Sequence, residues 1–161
     1  MAVESPFARA ASLSGVELLT ELARAEMPWS PHFEHVGLRL VSAERGRVEL
    51  IWSPTPHTLN VQGGVAGGYI SMVLDDSACM AGVSVGERFL PMLTLNLNID
   101  FLRGADAGVD YPVRAELLHP GRRRMVAQSV IYTPEGKRVA HATAGLVPNE
   151  SYDPTTDPRA G

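Results

Sequence analysis

The sequence predicts an α+β fold in which one antiparallel sheet wraps around one long central helix. Three observations carry that expectation. Residues 67–85, GGYISMVLDDSACMAGVSV, are apolar on almost every side, the pattern of a helix buried around most of its circumference. Residues 93–101, LTLNLNIDF, alternate Leu93, Leu95, Leu97, Ile99 and Phe101 with Thr94, Asn96, Asn98 and Asp100. That is the period of a strand with one apolar and one polar face. Three further strand-like runs follow, separated by short turns, and short connections imply antiparallel neighbours.

The elements follow in order. Residues 1–13 read as a loose arm. Ser14 and Glu17 form a capping box, and Val16, Leu19, Leu22 and Ala23 recur at helical spacing, so a helix is expected over 14–27 with Pro28 ending it. Residues 28–35, PWSPHFEH, read as a loop. Two β-like runs, 36–44 and 47–54, meet at a tight turn near Arg45-Gly46. After the long helix and the alternating strand come runs at 111–119, 123–132 and 137–147, with Pro120-Gly121 and Pro134-Glu135-Gly136 supplying the turns. Residues 149–161 are polar and proline-rich and read as a disordered tail. One domain over 14–148, without internal repeats, accounts for the rest.

Composition narrows the function classes. At 161 residues, 45% hydrophobic and 20% charged, the chain is long enough for one real core. No apolar run approaches the roughly 20 residues of a membrane span. The N-terminus has an early Glu4 and no long apolar run, which argues against a secretory leader. A single cysteine permits no internal disulfide and fits the cytoplasm. The net charge of −4 argues against nucleic acid as the main partner.

The chemistry concentrates in residues 60–82. Gly63, Gly64, Gly67 and Gly68 precede the long helix, which then carries Asp75 and Asp76 in its apolar stretch. A glycine-rich entry suits a backbone that something approaches closely, or simply a tight turn or close packing. A carboxylate on a buried helix is costly unless it has a partner or a task. Successive helix positions point about 100° apart, so Asp75 and Asp76 cannot occupy the same place. Cys79 lies one turn beyond Asp75. His32, His35 and His57 lack the companion ligands of a metal site and read as surface or packing residues. The glycines fit neither phosphate-loop nor dinucleotide spacing.

From about Gly37 to Val147 the sequence resembles the hotdog-fold acyl-CoA thioesterases, in particular the group that includes phenylacetate-pathway and 4-hydroxybenzoyl-CoA thioesterases. The family motif is Asn-x-x-Gly-x-x-His-Gly-Gly, six residues, then an acid. Here it reads Asn60-Val61-Gln62-Gly63-Gly64-Val65-Ala66-Gly67-Gly68, then Asp75. LNIDFLRGA at 97–105 and residues 119–144 resemble a later strand and the closing hairpin of the family. The departure is Ala66, where the family carries histidine.

The resemblance implies that the Gly67 amide binds the thioester carbonyl, and the free N–H groups and positive dipole end of a helix start suit that task. It implies that Asp75 is the general base or nucleophile and faces the glycine turn of a neighbouring subunit. Asp76, its rival, is then left to a polar partner or a rim, or the two exchange roles. Asn60 would polarise the carbonyl or hold the water, or merely cap its turn. Thr94, on the polar face of its strand, would help orient the water, or be an ordinary strand residue. Gly68, Ala66 and Cys79 would line the substrate site. Arg122, Arg123 and Arg124, at a hairpin turn, would bind coenzyme A phosphates, or be solvated. The function expected is hydrolysis of a medium-chain or aryl acyl-CoA, with Tyr69, Met72, Val73, Cys79 and Met80 as an apolar wall, no metal or other cofactor, and a homodimer or a dimer of dimers. Ala66 favours the alternative, an acyl-CoA-binding hotdog protein without catalysis; a hydratase is a third reading.

Overall fold

The computed structural model describes residues 10–24 and 30–153. Of the expected arm, residues 1–9 lie outside the described residues, while Ala10–Ser12 make one 3-10 turn with Ala10 buried. The expected helix end at 25–27, Pro28 and residues 154–161 of the tail also lie outside them. Helix α1 spans Gly15–Arg24. Its capping box is formed: the Ser14 N–H donates to Glu17 Oε2 at 2.8 Å, and the Glu17 N–H to Ser14 Oγ at 3.3 Å. Leu18, Leu19 and Leu22 bury its apolar side.

Residues expected to form a loop contain a second helix, α2, Pro31–Val36. Its signal is present in the sequence. Ser30 is the N-cap, Pro31 starts the first turn, and Gly37 follows with φ 79°, the proline-in, glycine-out asymmetry of helix ends. Strand β1, Leu38–Glu44, then turns into β2, Arg47–Trp52. The long helix is α3, Gly67–Val83. Strands β3, Met92–Phe101, β4, Tyr111–Pro120, β5, Met125–Tyr132, and β6, Arg138–Pro148, complete the chain.

All six strands form one antiparallel sheet in the order β1-β2-β4-β5-β6-β3. Helix α3 lies in its concave face and touches β2, β3, β4, β5 and β6. Ile70, Val73, Leu74, Ala78, Met80 and Ala81 are buried there. Fully burying a Val, Leu or Ile side chain is worth about 1.5–3 kcal/mol, so this packing holds the helix in place. Ser77 is buried too, satisfied by the Val73 carbonyl at 2.7 Å and by Ser129 Oγ at 2.5 Å.

The strict alternation expected of 93–101 is interrupted. The β3–β6 register shifts between Thr94 and Asn96, a bulge around Leu95. The extra residue reverses the parity of the strand. Thr94 therefore faces α3 together with Leu97 and Ile99, which pack on the core, and it does not share the outer polar face with Asn96.

Gly37 carries the turn from α2 into β1. A Cβ there would stand 1.9 Å from the Ser53 carbonyl oxygen, while at Gly46, with φ 82°, it would meet nothing closer than 3.9 Å. The left-handed conformation costs an L-residue about 1–2 kcal/mol at either site. Gly37→Ala is therefore expected to lower the urea midpoint clearly more than Gly46→Ala; equal losses would show that the Ser53 contact contributes nothing.

Candidate active site

The site is built where α3 begins and where its one open side meets β3. Ala66 is the N-cap of α3 and offers no side-chain cap. The Tyr69 and Ile70 N–H groups turn back to the Ala66 carbonyl, whereas the amides of Gly67 and Gly68 have no acceptor among the described residues. Both glycines are exposed. A Cβ on Gly68 would meet nothing within 4 Å, and one on Gly67 would lie 3.4 Å from the Phe101 ring. Two N–H donors without an acceptor among the described residues thus sit at the positive end of a 17-residue helix.

Asp75 and Thr94 come together: Thr94 Oγ1 donates to Asp75 Oδ1 at 2.7 Å. Cys79 Sγ lies 3.4 Å from the same hydroxyl. Burial pushes the Cys79 thiol up to about 12, Asp75 and Asp76 add to the rise, and the Thr94 contact opposes it. The thiol is therefore neutral and lines the site without acting as a nucleophile. Sequence reasoning put Thr94 at the site but on the wrong face of its strand; the bulge supplies the contact.

Asp76 turns the other way, to His32. His32 Nε2 and Asp76 Oδ2 are 3.1 Å apart, and His32 Nδ1 is bonded to Ser30 Oγ. Only 22% of the Asp76 side chain is exposed. Burial pushes its carboxyl up to about 6, the His32 ring pulls against that rise, and neighbouring Asp75 adds to it. His35 stacks on His57 with centroids 5.4 Å apart and stands 6.3 Å from Tyr69. The pairing of His32 with Asp76 followed no motif; only the missed helix α2 brings the two together.

Asn60 Oδ1 accepts the Gln62 N–H at 2.8 Å, so this side chain caps its own turn and leaves its Nδ2 as the donor. The three arginines separate. Arg122 and Arg123 line an open groove of ≈ 1060 Å³ with Arg45 and Arg88, beyond the C-terminal end of α3. Arg45 pairs with Glu87 at 3.2 Å and Arg88 with Glu150 at 3.3 Å. Arg124 instead crosses to the outer sheet face and donates to Asn96 Oδ1 at 2.8 Å.

With this geometry in hand, the likeness to known proteins is specific. The thioesterase superfamily model matches residues 62–140, from the glycine turn into β6. A putative thioesterase from Ralstonia eutropha, described as phenylacetic acid degradation-related, is 30% identical over 88% of this chain and 98% of its own, with a TM-score of 0.70. The chain belongs to the thioesterase superfamily. The sheet around α3 is the hotdog fold, shared with the PaaI protein of E. coli's phenylacetic acid degradation operon (23% identity, 84% of this chain and 96% of that one, TM-score 0.72). A hypothetical thioesterase from Streptococcus pneumoniae, solved with coenzyme A, has 24% identity over 70% of this chain and 88% of its own, TM-score 0.65. No curated protein matches the sequence. Among the described residues no helix is long and apolar enough to cross a membrane.

The raised Asp76 carboxyl has a consequence for stability. Its folded value, about 6, lies above the ordinary 3.8. Folding therefore favours the protonated form, and the contribution of this group to stability falls as the pH rises from about 4 through 6. In Asp76→Asn that loss is absent. The Tm difference between variant and wild type is expected to shift in favour of the variant over this range; a difference independent of pH would mean that Asp76 is not perturbed.

Proposed function

We propose that the protein hydrolyses acyl-CoA thioesters to a free acid and coenzyme A, at a site completed by two copies of the chain. The observation that carries this reading is the spacing between the two halves of the chemistry. Gly67 and Asp75 are eight residues apart on one helix, about 12 Å along its axis at 1.5 Å per residue. A carbonyl oxygen held by the Gly67 amide is too far from the same chain's Asp75 for attack. A second copy, related by a two-fold axis, would bring its Asp75 to this Gly67.

The edge strand suits such pairing. β3 ends the sheet, and it exposes Leu93 (50%), Leu95 (56%) and Phe101 (55%), with Leu102 (51%) just beyond. An open apolar edge is a liability that a symmetric partner removes. Pairing two such dimers into a tetramer fits the same reading.

In the reaction the oxyanion develops against the Gly67 N–H, where preorganised donors act most strongly. Asn60 Nδ2 is a second donor for the carbonyl or the water. Asp75, oriented by the Thr94 hydroxyl, takes a proton from water as its oxygen bonds to the carbonyl carbon. The tetrahedral intermediate then collapses, the C–S bond breaks, and the coenzyme A sulfur leaves and takes a proton. Direct attack by Asp75 gives instead a mixed anhydride that water opens. Ala66 and Gly68 leave room beside the carbonyl. Arg122 and Arg123 supply positive charge for the coenzyme A phosphates, while Arg45 and Arg88 in the same groove are paired with Glu87 and Glu150. Arg124, committed to Asn96, is left out of that role. The coenzyme A bound by the Streptococcus pneumoniae protein supports this ligand class.

Asp75→Asn keeps the shape and loses the base, so kcat on a medium-chain or aryl acyl-CoA should fall by about 10²–10⁴. Asp76→Asn should cost kcat less than about tenfold. Free-thiol release distinguishes them. The reverse order would move the chemistry to Asp76, and no turnover with any acyl-CoA would leave a binding protein.

A further inference from the structure

We infer that α2 is the wall of the acyl-binding trench, and that the His32–Asp76 pair clasps it to α3 and so sets which acyl groups fit. This inference rests on the thioesterase reading of the same site.

With successive residues about 100° apart, α3 meets the edge strand along one line: Gly67 against Phe101, Asp75 against Thr94, Gly82 against Met92. It meets α2 along another: Tyr69 beside His35, Asp76 bonded to His32. The order of these contacts is reversed, so α2 runs antiparallel to α3. The buried residues Ile70, Val73, Leu74, Ser77 and Ala81 occupy the opposite half of the wheel. Between the two lines lie Gly68, Met72 and Cys79, with Val83, buried against Gly15 of α1, at the far end. The first three form the floor of a trench about 16 Å long, with β3 as one wall and α2 as the other. The reacting groups belong to the β3 wall, which leaves the α2 wall to meet the acyl group.

The floor is small and apolar, and both rims carry polar side chains already satisfied by one another. The His32 ring engages the Asp76 carboxyl at 3.1 Å, so the α2 wall does not turn an unpartnered carboxyl toward an aliphatic or aryl group. Burial of Asp76 raises its carboxyl more than the contact with His32 lowers it, so an ionised Asp76 is costly there even with its partner. A carboxylate held at a net cost beside the reacting one is expected to position something. What it holds is the N-terminal end of a six-residue helix. The C-terminal end is anchored by buried Val36, by the bond from Trp52 Nε1 to the Val36 carbonyl at 3.0 Å, by the bond from Thr55 Oγ1 to the His35 carbonyl at 2.9 Å and by the stack of His35 on His57, and Phe33 is buried toward the core. These fix the C-terminal end and the core side of α2 and leave its N-terminal end to His32.

The test measures binding and turnover separately. S-methyl- and S-octyl-coenzyme A thioethers, which cannot be hydrolysed, are titrated by calorimetry into the full chain and its His32→Ala and His32→Gln variants. His32→Ala should weaken S-octyl binding about five- to tenfold more than S-methyl binding. His32→Gln, whose amide reaches the place of Nε2, should restore most of that selectivity. On acetyl- and octanoyl-CoA the same variants should move KM for the longer substrate more than kcat. Equal weakening of both thioethers, no weakening of either, or no rescue by glutamine would overturn the assignment of α2. A wild type that binds the thioethers with this length dependence yet turns over no acyl-CoA would defeat the hydrolase reading and leave the α2 wall standing.

Discussion

The structure depends on how α3 is held. A helix with apolar residues on most of its circumference must be surrounded, and the curved sheet covers about half of it. Every functional feature sits on what the sheet leaves uncovered. The free amides of Gly67 and Gly68 are at its start, Asp75 meets the sheet edge at Thr94, and Asp76 is closed off by α2. Because no buried side-chain polar atom is orphaned among the described residues, the side chains of the proposed site are held by the same contacts that fold the chain.

The two adjacent aspartates show how one turn of helix separates two tasks. Asp75 points to a hydroxyl on an edge strand that faces outward. Asp76 points to an imidazole on a short helix and is costly to keep ionised there. The 100° between them sends the two carboxyls to different neighbours, Thr94 on β3 for Asp75 and His32 on α2 for Asp76.

Much of this was legible in the sequence, because it follows from local rules. The capping box at Ser14, the apolar α3 and the glycine entry each carry their signal within a few residues. So does the motif from Asn60 to Asp75. The features that escaped depend on pairing at a distance. The bulge at Leu95 exists only against β6, and it turns Thr94 inward although the written pattern alternates without a break. Helix α2 has six residues, fewer than two turns, so its apolar residues show no periodicity, and only Ser30, Pro31 and Gly37 mark it. The division of Arg122 and Arg123 from Arg124 follows from the side of the hairpin each one leaves, which three identical letters do not encode.

If each proposed site combines Gly67 of one chain with Asp75 of another, two inactive variants complement each other in a mixed dimer. Gly67→Val fills the approach to the amide, and Asp75→Asn removes the carboxylate, so each variant alone should be nearly inactive. Co-expressed in equal amounts, half of the dimers are mixed, and each of these holds one intact site. The account predicts recovery of about a quarter of wild-type thiol release. A mixture as inactive as either variant, beside an active wild type, would contradict it, because a site contained within one chain leaves no intact copy in any dimer.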